Sequence, residues 1–236
     1  MGNGMSGRVG VLAATAFAVV LGGCARPAAK KSSPTPTASF FTGKDLSGWK
    51  ADEMHFWSVT DNKTIRGFSA EKVKGNKFLW SDIKVKNFYL SVDVKLVHDD
   101  RNSGIQFRSK KIENGALGYQ ADIGKGWWGK LYHEHGRKLL DANTRGLAAV
   151  KPGEWNRYEI LAIDHRIWTA INGKVATALY DPEGELKGYI ALQIHSGKPS
   201  EVLFRNPALT HNPEIKIAGK TEKELNALLV PTYEKP

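Results

Sequence analysis

Polar side chains alternate with apolar ones in three segments that are typical of β-strands, and their types could do chemistry together. The polar pairs are Gln106 and Arg108 in residues 103–109, Gln120 and Asp122 in 118–124, and Gln193 and His195 in 188–197. Successive side chains of a strand point to opposite faces of its sheet, so each pair lies opposite the apolar residues. If the three strands are neighbours, one face collects a carboxylate, an imidazole, a guanidinium and three amides. These groups form hydrogen bonds with hydroxyls, so the face suits a hydroxyl-rich ligand.

The segment "GKGWWGKLYHEHGRKLL" (124–140) adds aromatic and acidic groups. Trp127 and Trp128 lie between glycines, so we expect an irregular loop with both indoles exposed. An exposed indole offers a flat apolar face to the C–H side of a sugar ring and an N–H donor. Glu134 follows in an extended stretch and supplies a second carboxylate.

The same stretch contains His133 and His135, a His-x-His pattern that could chelate a divalent metal ion. Two histidines without a defined third ligand are weak support for a metal site.

The elements that must position these groups are predicted to be strands. Alternation and turn residues indicate strands at 77–85, 87–97, 103–109, 118–124, 154–164, 166–173, 188–197 and 202–209. Many strands at close spacing in one domain predict an all-β fold, a jelly-roll β-sandwich of two antiparallel sheets with one concave face open to a ligand. By the same alternation, the strand at 87–97 would add Ser91 and Asp93 to the polar face.

The N-terminus has the pattern of an exported lipoprotein. An apolar run at 9–23 follows Arg8 and ends at Cys24, the only cysteine in the chain. The run is too short for a spanning helix and ends in small residues, so we expect residues 1–23 to be a lipoprotein signal peptide and Cys24 to be lipidated, which anchors the protein to a membrane.

Composition divides the remaining chain. Residues 24–39 are rich in Pro, Ser, Thr and Ala, as in a flexible tether. The strand-rich domain is expected at 40–209, and a polar tail at 210–236 includes a short helix that Thr221 would cap.

The formal net charge is +10, which raises the question of a nucleic-acid partner. Export argues against one, and no run of basic residues is interleaved with aromatic residues. We therefore expect no nucleic-acid partner, and attribute the charge to solubility and attraction to anionic surfaces.

Several segments, in order along the chain, closely resemble the 3-keto-disaccharide hydrolase family. They are "FFTGKDLSGW", "LWSDIKVKNFYLSVDVKL", "NSGIQFRS", "GYQADIG", "LYHEHGR", "KPGEWNRYEI", "NGK", "DPEGELKGYIALQIHSG" and "EVLFRN". The resemblance covers about residues 40–209. It implies a concanavalin A-like jelly roll, secretion or lipoprotein anchoring, and activity on glycosides oxidised at C3. We therefore expect an exported lipoprotein in the periplasm, at the outer membrane or on the cell surface of a bacterium. One departure is that the family often has an acidic residue where His133 stands.

The resemblance implies a chemistry that the polar face could perform. A keto group at C3 acidifies the hydrogen on C2, and the enolate left by its removal can expel the C1 substituent, after which water can add. His195 or Asp122 would be the base, and Glu134 the acid. Arg108, with or without a bound divalent cation, would stabilise the enolate oxygen. The residues expected to contact the sugar are Asn102, Gln106, Gln120, Gln193, Arg137, Trp127 and Trp128.

Two other functions are open from the sequence. Asp122 and Glu134 could be the carboxylate pair of a conventional glycosidase, whose separation would distinguish retention from inversion. Alternatively, the polar face and the Trp loop could belong to a lectin-like module that binds carbohydrate without catalysis.

Overall fold

A computed structural model describes residues 1–2, 35–36 and 40–232 of the protein. Cys24, nearly all of the predicted signal peptide and most of the predicted tether lie outside the described residues. Among the described residues, no helix is long and apolar enough to cross a membrane.

Alternating and β-branched segments form sixteen described strands, joined by short turns. In chain order they are β1 (Thr35–Pro36), β2 (Trp49–Lys50), β3 (Trp57–Thr60), β4 (Thr64–Ser69), β5 (Lys77–Val85), β6 (Phe88–Leu96), β7 (Asn102–Ile112), β8 (Gly115–Gly124), β9 (Leu131–Glu134), β10 (Lys138–Asp141), β11 (Asn156–Ile163), β12 (Arg166–Ile171), β13 (Lys174–Tyr180), β14 (Gly188–Ile194), β15 (Ser200–His211) and β16 (Val230–Pro231). The described helices are short: two 3₁₀ turns, Met54–Phe56 and Leu147–Ala149, and one α-helix, α1 (Glu222–Asn226).

The strands pair into two sheets. The larger sheet has the order β16–β13–β12–β11–β6–β15–β4–β3, and β1 also pairs with β15. The smaller sheet has the order β10–β9–β8–β7–β14–β5–β2. Every pair is antiparallel except β13 with β16. This arrangement confirms the prediction of an all-β jelly-roll sandwich.

The core lies between the two sheets and is filled by one face of each. Apolar positions of β6, such as Leu90, Val92 and Val94, are buried in the same cluster as Ile105 of β7 and Ile190 of β14. Burying each side chain of this size stabilises the fold by about 1.5–3 kcal/mol. The alternation read from the sequence therefore identifies the packed face, and the polar partners of these residues lie on the outer faces.

The placement of β6 corrects one expectation. Ser91 and Asp93 were predicted on the same face as the other polar residues, but β6 lies in the larger sheet, between β11 and β15. There Asp93 accepts a hydrogen bond from Arg157 at 2.9 Å. Alternation predicts the face of a strand but not which sheet the strand joins.

A β-bulge in β7 changes the direction of its polar face. The register of β7 shifts by one residue against both of its neighbours, β8 and β14, near Arg108, whose φ is +49°. Beyond this bulge the hairpin between β7 and β8 contributes Ala116 to an apolar cluster with Phe78, Trp80 and Ala191. This cluster covers part of the outer face of the smaller sheet.

The C-terminal residues cover part of the outer face of the larger sheet. Leu225 of α1 and Ile217 are buried against that face, and the indole N–H of Trp168 donates to the Leu225 carbonyl at 3.0 Å. Thr221 and Glu224 form a capping box at the start of α1. Described residues beyond 209, among them Ile217 and Leu225, thus pack onto the sandwich.

Candidate functional site

A cavity of about 520 Å³ opens on the outer face of the smaller sheet. The residues that line it are Asn76, Asp100, Arg101, Asn102, Gln120, Asp122, Lys125, Trp127, Tyr132, Glu134, His195, Ser196, Lys198 and Ser200. They come from β7, β8 and β9, from the segment after β14, from the first residue of β15 and from adjoining loops. The three residues predicted to be catalytic, Asp122, Glu134 and His195, all line this cavity.

Asp122 is a buried carboxyl in the wall of the cavity. It lies on β8, where Ala121 and Ile123 point into the core, and is 3% exposed. Its Oδ1 accepts a hydrogen bond from Gln120 Nε2 at 2.7 Å, whereas Oδ2 has no partner among the described residues. Burial raises the pKa of Asp122 to about 7; the negative charge of Glu134 adds to this, and the Gln120 hydrogen bond opposes it. A carboxyl with this pKa can exchange a proton near neutral pH.

Glu134 is held in place by Asn76, which the sequence did not single out. Asn76 Nδ2 donates to Glu134 Oε1 at 3.1 Å, and Asn76 Oδ1 accepts from the Ser196 backbone N–H at 2.9 Å. One asparagine therefore links the Glu134 carboxylate to the segment that carries His195. Asn76 precedes β5 in a loop without periodic pattern, so no sequence signal identified it.

His195 follows the last residue of β14, Ile194, and is half-buried. Its Nδ1 lies 2.7 Å from the Ser196 carbonyl oxygen. A carbonyl only accepts, so Nδ1 carries the hydrogen, and the neutral ring has Nε2 as its free acceptor.

Tyr132 lies opposite Gln120 in the β8–β9 ladder and on the cavity side. Burial, followed by the negative charges of Glu134 and Asp122, raises the pKa of its phenol. Tyr132 therefore stays protonated at neutral pH and can donate a hydrogen bond.

The two tryptophans of the 124–140 segment have different environments. Trp127 is 39% exposed and lines the cavity, with Lys130 Nζ 4.8 Å from its ring centroid. Trp128 is 2% exposed and stacks on Tyr158 in the core at 6.3 Å. The expectation that both indoles are exposed is wrong for Trp128, because the tight turn at 124–130 directs neighbouring side chains to opposite sides.

The two arginines predicted to contact substrate lie outside the cavity lining. Arg108, 1% exposed, donates to the Lys86 carbonyl at 2.8 Å and to the Asp164 carbonyl at 2.6 Å. The bulge places its side chain away from the polar face, which corrects its assignment as the oxyanion group. Arg137 forms a two-pronged ion pair with Asp181, at 2.7 and 2.5 Å.

Two predicted glutamines are fully buried and also outside the lining. Gln106 donates from Nε2 to Gln120 Oε1 at 2.7 Å. Gln193 has no hydrogen-bond partner for either amide atom among the described residues. Asn102 and Gln120, by contrast, do line the cavity.

The predicted histidine pair does not converge on one point. His133 Nε2 lies 2.7 Å from Glu185 Oε2, and its Nδ1 accepts from the Arg137 backbone N–H. His135 donates from Nδ1 to the Ala116 carbonyl at 3.0 Å. Within the described ranges, no group of three or more His, Cys, Asp or Glu side chains is placed to hold a metal ion.

Comparison with known protein families finds a match for this chain. The family described as the 3-keto-alpha-glucoside-1,2-lyase-like domain matches residues 36–210. No curated protein matches the sequence.

Solved structures similar to this chain share its fold at low sequence identity. A "putative glycosyl hydrolase" from Parabacteroides distasonis is 22% identical, with a TM-score of 0.56 over 76% of this chain and 100% of the other. A second protein of that description from the same organism is 19% identical, with a TM-score of 0.54 over 72% and 91%. The carbohydrate-binding module CBM66 from Bacillus subtilis is 14% identical, with a TM-score of 0.51 over 68% and 93%. At these identities the similarity establishes the jelly-roll fold alone.

Proposed function

The chain belongs to the family of 3-keto-alpha-glucoside-1,2-lyase-like domains, and from this premise we propose that it cleaves the glycosidic bond of 3-keto-glycosides. The observation that carries the proposal is the placement of Asp122. It is a carboxyl with a pKa of about 7 in the wall of a polar cavity that also contains Glu134 and His195. A general base works best when its pKa lies near the working pH.

The proposed reaction is an elimination followed by addition of water. Asp122 removes the proton from C2, and the C–H electron pair forms the enolate of the C3 ketone. The enolate then re-forms the ketone and expels the C1 oxygen, which leaves a double bond between C1 and C2. The departing oxygen takes a proton from Glu134, which must be in its protonated form for this step, and water can then add to the double bond. His195, with Nε2 free, is the alternative base.

The enolate oxygen needs donors that are already in place. Because Arg108 is occupied elsewhere, this role falls to cavity donors, among which the Asn102 amide and the Tyr132 phenol are candidates. Lys125 and Lys198 also line the cavity and add positive charge. Trp127 provides an exposed aromatic face for the sugar ring.

The function is tested with a 3-keto-glucoside and its unoxidised parent. We expect cleavage of the oxidised compound alone, and Asp122→Asn should lower kcat by about 10²–10⁴-fold. Glu134→Gln and His195→Ala distinguish the acid from the base. Asp93→Asn, a carboxyl of the larger sheet, is the matched control. Cleavage of the parent compound would indicate a conventional glycosidase. Binding without turnover would indicate a lectin-like module. Wild-type rates for all three variants would show that the site lies elsewhere.

The pH dependence follows from the same assignment. A base must be ionised, so kcat/KM should be low in acid and rise as the pH increases through about 7. Measuring kcat/KM from acid to alkaline pH checks this, and a rate that falls across this range would contradict Asp122 as the base.

A further inference from the structure

A chain of side-chain hydrogen bonds runs beneath the cavity and ends on Asp122. Ser109 Oγ lies 2.8 Å from Gln106 Oε1, Gln106 Nε2 donates to Gln120 Oε1 at 2.7 Å, and Gln120 Nε2 donates to Asp122 Oδ1 at 2.7 Å. Gln106 and Ser109 are both 0% exposed. Neither lines the cavity, so neither is placed to contact a sugar.

The direction of these bonds is determined from the Asp122 end. An ionised carboxylate only accepts, so Gln120 must present Nε2 to it and Oε1 to the next residue. Gln106 is then fixed in the same sense, with Nε2 towards Gln120 and Oε1 towards Ser109. The Ser109 hydroxyl completes the chain as donor to Gln106 Oε1, the nearest of its three possible acceptors.

Two glycines provide the space that the side chains of this hydrogen-bond chain occupy. A Cβ on Gly104 would lie 2.5 Å from Gln120 Cδ, and a Cβ on Gly118 would lie 2.5 Å from Ser109 Oγ. Gly118 also has a φ of +138°, which favours glycine. The backbone of β7 and β8 therefore leaves room for Ser109 at one end of the hydrogen-bond chain and for Gln120, which bonds Asp122 at the other end.

We propose that Ser109, Gln106 and Gln120 are positioning residues, which hold Asp122 by Oδ1 and leave Oδ2 free to accept a proton. The inference rests on the proposed function, in which Asp122 is the general base. Oδ2 has no hydrogen-bond partner among the described residues, as expected if Oδ1 holds the carboxylate and Oδ2 accepts the proton. When the carboxylate is held in one orientation, its accepting oxygen already points in the direction needed for proton transfer, which favours a higher rate.

Ser109→Ala tests the far end of the chain without touching the cavity. With no donor to Gln106 Oε1, both amides can rotate and the bond to Asp122 Oδ1 weakens. A hydrogen bond to the charged form favours that form, so its loss should raise the pKa of Asp122. We expect the acidic limb of kcat/KM to move up by about one pH unit. The value of kcat near pH 7 should fall several-fold while KM stays unchanged.

The matched control is Ser81→Ala. Ser81 is a buried serine of the same sheet, and its hydroxyl bonds the carbonyl of Ile83 at 3.3 Å, outside the chain. Ser109→Cys keeps a weak S–H donor and should be intermediate. Gln106→Leu removes the middle of the hydrogen-bond chain and should move the acidic limb of the kcat/KM profile further towards higher pH. Thermal unfolding of each variant verifies that it is folded.

A titration of the Asp122 carboxyl by ¹³C NMR, in wild type and Ser109→Ala, gives a readout that does not depend on turnover. If the wild type does not cleave 3-keto-glucosides, the proposed function fails. A higher pKa of the Asp122 carboxyl in Ser109→Ala would still show that the hydrogen bonds from Ser109 to Asp122 control this carboxyl. If Ser109→Ala matches Ser81→Ala in both pH profile and titration, the positioning role is overturned.

Discussion

At the scale of single residues, Asp122 and Asp181 are two buried carboxyls in opposite environments. Burial raises the pKa of Asp122 to about 7, so the folded state binds its proton more tightly than the unfolded state does. The free energy of unfolding therefore falls as pH rises from the ordinary carboxyl pKa through about 7. Burial would also raise the pKa of Asp181, but hydrogen bonds from Arg137 and Tyr119 outweigh it and hold that pKa below its usual value.

These environments predict opposite effects of the same substitution. Asp122→Asn should be more stable than wild type at about pH 8, and the difference should shrink towards about pH 5, because the cost of the buried charge disappears on protonation. Asp181→Asn should be less stable at both pH values, since it leaves Arg137 without its carboxylate. Urea unfolding at the two pH values measures both effects. An Asp122→Asn protein that is less stable than wild type at the higher pH contradicts the buried charge.

The adjacent tryptophans give a second residue-scale prediction. Trp128→Ala empties a core position and should lower the free energy of unfolding by about 3–5 kcal/mol. Trp127→Ala should leave stability nearly unchanged and raise KM for the sugar by up to about tenfold. Denaturant unfolding and steady-state kinetics on both variants separate the roles. Equal losses of stability would show that Trp127 is also structural.

At the scale of elements, the bulge in β7 determines what Arg108 does. Arg108→Ala removes a buried side chain and its donors to the Lys86 and Asp164 carbonyls, and should lower the free energy of unfolding by about 3 kcal/mol. The loss of kcat should be far smaller than the 10²–10³ that an oxyanion donor contributes. Arg157→Ala, which breaks a more exposed pair with Asp93, should cost under about 1 kcal/mol. A stable but inactive Arg108→Ala protein would restore Arg108 to the site.

The same bulge shows how much of the site could be predicted. Gln106, Gln120 and Asp122 share a face because the period of two holds along regular strands, and the sequence displays that period directly. It fails at Arg108, because an inserted residue resets the alternation without any signal in hydropathy. Asn76 comes from a loop whose position depends on contacts distant in sequence, so periodicity does not identify it.

At the scale of the whole molecule, each sheet has one face in the shared core and one outer face. Different segments cover the outer faces of the two sheets. The C-terminal residues cover part of the larger sheet's outer face with Ile217 and Leu225. The β7–β8 hairpin covers only part of the smaller sheet's outer face, and the cavity occupies another part. Because β7 lies between β8 and β14 in this sheet, residues distant in sequence, on β8 and directly after β14, both line the cavity.

Anchoring is the remaining proposal for the whole chain: we propose that Cys24 is lipidated after export. Cys24→Ala should abolish incorporation of labelled palmitate, because the thiol that would carry the lipid is then absent. The purified variant should keep wild-type kcat/KM, since Cys24 is the only cysteine and the cavity contains none. Ala25→Ser, which retains the cysteine, is the matched control and should remain labelled. A Cys24→Ala protein that still takes up palmitate, or a wild type that takes up none, would overturn the anchor.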